Sequence, residues 1–138
     1  MNDIVKKAAD YYNGGYYCSQ AILGAFSEKY DFDKEIAFRL AVGLNSGFRC
    51  AEVCGAVSGA VLVIGLKYGY YKETGNAKTE EYIKLFKDKH ASIVCRDLLG
   101  CDISTLDGRE KAIQENLFST RCLGLVTSAA QILIDLGY

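Results

Sequence analysis

The chain has 138 residues, 50% of them hydrophobic and 24% charged, with a formal net charge of −1. That length points to one domain over residues 1–138 with a real core, and the apolar content excludes a disordered segment. With no basic block, nucleic acid and anionic membrane surfaces are poor partners on charge grounds.

Helical periodicity dominates, no stretch alternates like a strand, and no proline interrupts a helix. A first helix is predicted over residues 2–12, with Ile4, Val5, Ala8, Ala9 and Tyr12 on one face. Asn13-Gly14-Gly15 reads as a turn. A second helix over residues 16–30 places Cys18, Ile22, Ala25 and Phe26 on one stripe. Asp33 suits the N-cap of a third helix, where Ile36, Ala37, Leu40, Ala41 and Leu44 repeat. After a break at residues 43–47, a fourth helix starts near residues 49–51 and ends near residue 69. Residues 68–76 read as a loop. Thr79 caps a long fifth helix that stops at Leu99-Gly100, with Glu80 and Lys84 paired four residues apart. Asp107-Gly108-Arg109-Glu110 reads as a capping box for a short sixth helix. Ser119 or Thr120 caps a seventh, striped by Cys122, Val126, Ala129, Ala130 and Leu133. The fold class expected is all-α: a single small up-and-down helical bundle.

The opening MNDIVKKAADYY lacks the apolar stretch of a signal peptide, and the apolar run over residues 55–66 is too short to span a bilayer. A cytoplasmic location is therefore expected. There, six cysteines suit metal ligation or redox chemistry better than a static disulfide framework.

Short connections make neighbouring helices antiparallel. With the second helix pointing down, the fourth and seventh also point down, so Cys18, Cys54 and Cys122 lie at the top in first turns. Cys95, in the last turns of an upward fifth helix, lies there too. Cys50 and Cys101 flank the same end. Helix N-termini favour the thiolate, so Cys18, Cys54 and Cys122 are expected to be acidic and Cys95 less so. Three of the arginines (Arg49, Arg96 and Arg121) adjoin a cysteine in sequence, which is weak evidence of contact. Gly55, Ala56, Ser58, Gly59 and Ala60 make the fourth helix slim, either for tight packing or to leave room for a ligand. His90, the single histidine, reads as a solvated helix residue.

Cys54-Gly55-Ala56-Val57-Ser58-Gly59-Ala60, followed by Ile64-Gly65-Leu66-Lys67-Tyr68-Gly69, resembles the CGAxxG signature of the C_GCAxxG_C_C family of redox-active proteins. Cys18-Ser19-Gln20-Ala21, Cys95-Arg96-Asp97-Leu98-Leu99-Gly100 and Arg121-Cys122 match in order and spacing. The resemblance implies a small helical bundle whose four recurrent cysteines are Cys18, Cys54, Cys95 and Cys122, with Cys50 and Cys101 as extras. It also implies a link to transporters, and kinship with domains of iron–sulfur and haem electron-transfer proteins. Two features depart from the pattern. The segment Gly43-Leu44-Asn45-Ser46-Gly47 has fewer glycines than usual, and Leu123 stands where a proline often follows the last cysteine.

Three functional readings stay open. The first is thiol–disulfide exchange, with Cys54 or Cys18 attacking and a second cysteine resolving, although the chain has no C-x-x-C. Its partner would be a redox protein or a small thiol, and a homodimer could complete the site. The second is ligation of zinc or an iron–sulfur cluster by the Cys18, Cys54, Cys95 and Cys122 thiolates, though their spacing is unlike a zinc finger or a ferredoxin. In the third, the cysteines are small buried hydrophobes and the chain is an interaction module.

Overall fold

The computed structural model describes residues 1–138 as eight α-helices with no strand. The all-α expectation holds. The helices are α1 (Asp3–Asn13), α2 (Cys18–Ser27), α3 (Lys34–Ala41) and α4 (Gly55–Tyr68), then α5 (Lys72–His90), α6 (Cys95–Leu99), α7 (Leu106–Gln114) and α8 (Leu123–Asp135). No single helix is long and apolar enough to cross a membrane.

The middle of the fold is α2, buried at eight of its ten residues. Around it pack α1, α3, α4 and α8, with α5 against α4 and α8. Their apolar faces make one core of 25 buried residues, including Ile22, Phe26, Val57, Phe86 and Val126. Two caps follow from sequence. Asn2 Oδ1 accepts from the Ile4 amide at 2.8 Å, and Asp33 Oδ1 from the Ile36 amide at 3.0 Å. The small residues of α4 serve close approach. A Cβ on Gly59 would stand 2.9 Å from the Ser19 carbonyl oxygen, so only glycine lets α4 lie this close to α2.

Several boundaries differ from expectation. Helix α4 begins at Gly55, because residues 46–51 form a wide turn with Ser46, Phe48, Arg49 and Ala51 in the left-handed region. That conformation costs a non-glycine residue about 1 kcal/mol or more. The turn is held by Arg49, which donates to Asn45 Oδ1 at 2.9 Å, and by burial of Ala51. Residues 72–76, expected in a loop, form the first turn of α5. Lys84 on that helix pairs with Asp88 at 2.8 Å rather than with Glu80. Helix α5 stops at His90, where Ala91 turns left-handed (φ 70°). Residues 95–99 are therefore a separate helix. The cap of α7 is Thr105, whose Oγ1 accepts from the Gly108 amide at 3.0 Å, and not Asp107. Neither Ser119 nor Thr120 caps α8, which follows a wide turn over Phe118–Cys122.

Between α5 and α6 the chain pairs with the segment before α4. The Cys54 amide donates to the Ile93 carbonyl at 2.8 Å, and the Cys95 amide to the Glu52 carbonyl at 2.6 Å. This one antiparallel bridge, Val53 against Val94, sets Cys54 and Cys95 side by side along the backbone. A second, smaller core of Ala51, Cys95, Leu99, Ile103 and Ala112 lies beyond it.

Candidate functional site

Cys18, Cys54, Cys95 and Cys122 all line one cavity of about 380 Å³ that opens to solvent. Each comes from a different segment. Cys18 is the first residue of α2, Cys54 the N-cap of α4, Cys95 the first residue of α6, and Cys122 the residue before α8. The helix starts bring the four thiols to one cavity; for Cys18, Cys54 and Cys122 this is the end of the helix where the topology put them. Cys95 arrives by a different route, at the start of its own short helix and not in the last turns of a long one. Cys50 is exposed and lies outside the cavity, with its thiol 3.4 Å from the Gly47 carbonyl oxygen. Cys101 packs against the small core without lining the cavity. All six cysteines are free thiols.

The walls are mostly apolar, with Leu98, Leu99, Ile103, Phe118 and Leu125 among them. The cavity lies where the two cores meet: Cys54 belongs to the large one and Cys95 to the small one. Gly55 shapes the floor. A Cβ there would stand 2.4 Å from Cys18 Sγ, so the glycine makes the seat of that sulfur. The slim face of α4 thus serves both purposes, packing at Gly59 and room in the site at Gly55.

The expected acidity of the thiols does not hold. Burial raises Cys54, against the pull of the Ala56 and Val57 amides. Burial, then Cys54 and Cys122, raise Cys18 well above the ordinary thiol value, more than the amides of Ser19 and Ser46 offset. Burial and the same two neighbours lift Cys95 to about 12. Burial and Cys54 lift Cys122 to about 11, while the Tyr12 hydroxyl and Arg121 pull it down. Removing a charge from water outweighs the favourable helix ends. At pH 7 a thiol with a pKa near 11 is ionised about one part in ten thousand. Both states of a dithiol/disulfide pair are neutral, so either can sit in this cavity without burying a charge.

Three residues of the site escaped the sequence reading. Tyr12 donates its hydroxyl to the Phe118 carbonyl at 2.7 Å and stands beside Cys122. The available signal is the run of tyrosines close to Cys18 in sequence (Tyr11, Tyr12, Tyr16 and Tyr17), a pattern that by itself suits packing. Phe118 and Arg109 also line the cavity. Of the arginines next to a cysteine in sequence, Arg49 and Arg96 bond elsewhere, to Asn45 and Glu52. Arg121 donates to the Leu98 carbonyl at 2.8 Å and is the one that acts on its neighbouring thiol. His90 is half-buried on α5; its Nε2 lies 2.7 Å from Ser128 Oγ, away from the cavity.

Four thiols are a chemically apt donor set for zinc or an iron–sulfur cluster. As the side chains stand, however, no three Cys, His, Asp or Glu residues are arranged to share a metal ion. Ligation would also require deprotonating thiols that burial holds neutral.

A family model described as "Putative redox-active protein (C_GCAxxG_C_C)" matches residues 16–136. No curated protein and no solved structure matches the chain.

Proposed function

The chain belongs to the C_GCAxxG_C_C family, and from that premise we propose that its four-thiol cavity is a redox centre working by reversible dithiol–disulfide exchange. The observation that carries this reading is the meeting of Cys18, Cys54, Cys95 and Cys122 in one apolar cavity that has an opening. Cys122 is the attacking thiol. It is half-buried, and the Tyr12 hydroxyl and Arg121 both favour its thiolate. Cys54 is the resolving thiol, because among the thiols it acts most strongly on Cys122. Cys122 attacks one sulfur of a partner disulfide and expels the first partner thiolate, which takes up the proton Cys122 gave. Cys54 then attacks Cys122 Sγ in the mixed disulfide and releases the second partner thiol. Two protein thiols are oxidised and one disulfide is reduced. Cys18 and Cys95 each neighbour both Cys54 and Cys122, from separate helix starts.

The test uses full-length protein purified without oxygen. Its metal and iron content is measured, its thiols are counted during mild oxidation, and the Cys54→Ser variant is treated with a small disulfide. Exchange predicts a colourless, metal-free protein whose thiols disappear in pairs, and a variant arrested as a mixed disulfide on Cys122. Stoichiometric zinc or a coloured, iron-containing sample would instead make the cysteines ligands. Unchanged thiols with no metal would make them packing residues.

A further inference from the structure

The redox reading leaves the choice of substrate open, and the charge of the cavity narrows it. Arg109 is the single charged residue lining the cavity, and no aspartate or glutamate lines it. The guanidinium forms no ion pair with any carboxylate of the chain. Its contact is the Phe118 ring, 5.5 Å from the centroid, which holds the cation at the wall without neutralising it. Asp102, which acts on Cys95, does not line the cavity, and its carboxylate is occupied by the Ser104 amide at 2.9 Å. The positive ends of α2 and α4, helices of 10 and 14 residues, open on the same space. The fixed charge that lines the cavity and the dipole ends that open on it therefore favour an anion.

Resting on the exchange reading above, we infer that the substrate is a small anionic disulfide or thiol, with a carboxylate on Arg109 and its sulfur against Cys122. A cavity of about 380 Å³ admits a compact molecule or one arm of a larger one. The carboxylate needs a partner inside this apolar space, and Arg109 supplies a two-pronged donor. The disulfide itself is the oxidant: it leaves as two thiols, and the protein keeps one disulfide.

The experiment follows oxidation of the reduced full-length protein by two disulfides of similar size. One is dithiodipropionate, which carries carboxylates, and the other is cystamine, which carries ammonium groups. Wild type should be oxidised about tenfold faster by the anionic one, the ratio that opposite charge effects of modest size produce. In Arg109→Gln the ratio should fall to about one, and Arg109→Lys should recover part of it. A ratio near one in wild type, or one unchanged in Arg109→Gln, overturns the inference and leaves the exchange reading intact. If neither disulfide oxidises the protein, the exchange reading fails. A titration with methylthiopropionate, a thioether that cannot exchange, then decides the anion site alone. Binding that weakens about fivefold or more in Arg109→Gln supports it; binding indifferent to the substitution, or none, overturns it.

Discussion

The two cores of this chain are unequal, and the cavity lies between them. The large one gathers 25 buried residues from α1 to α5, α6 and α8. The small one holds five, drawn from the turn before α4, from α6 and α7, and from the chain between them. Burial of apolar surface scales with area, so the large core carries the stability of the fold. The small core mainly places Cys95, helped by one antiparallel bridge to Val53. A cavity at such a seam gains a rigid wall on one side and a more yielding wall on the other.

Truncation on each side should expose the difference. Phe26 is fully buried in the large core, and Phe26→Ala should lower unfolding free energy by about 3–5 kcal/mol, measured by urea titration. Leu99 is 8% exposed in the small core, where neighbours can collapse, so Leu99→Ala should cost about 2 kcal/mol. Despite its smaller effect, Leu99→Ala should speed alkylation of Cys95 more than Phe26→Ala does at matched stability. Equal labelling in the two variants would show that the cores open as one.

A weaker effect separates the cavity from the rest through pH. The cavity thiols stay neutral in the folded state well above the ordinary thiol value of 9, whereas in the unfolded chain they ionise near it. The folded state then holds more protons, so stability is fully present below about pH 9 and falls as pH rises toward 11 and 12. Thermal melts over that range should decline, and Cys122→Ser should flatten the decline. A flat wild-type profile would mean that burial does not hold these thiols neutral.

The large-core side of the molecule was the legible side. Helix α1 with its one-faced pattern, the Asp33 cap and the cysteines at the starts of α2 and α4 follow from local periodicity and capping chemistry. The small-core side was not. Ala91 ends α5 although alanine is the best helix former, because pairing of Val94 with Val53 claims the backbone just beyond it. That pairing joins residues far apart in sequence and leaves no periodic trace. The turn at residues 46–51 was hidden for the opposite reason: it needs left-handed residues, and Ser46, Phe48, Arg49 and Ala51 stand where glycine would announce it. The four cysteines of the site were readable from spacing and resemblance. Their acidity was not, since it depends on burial in three dimensions. Arg109 was hidden inside a presumed capping box.

The central claim, a dithiol–disulfide pair whose reduced form is neutral, is tested most directly by the midpoint potential as a function of pH. Two protons accompany two electrons while both thiols stay protonated, so the potential should fall by about 59 mV per pH unit. With Cys122 at about 11, that slope should continue unbroken from neutral pH to near 11. A slope that flattens around neutral pH would reveal an acidic thiol and contradict the account, and so would the absence of a two-electron couple.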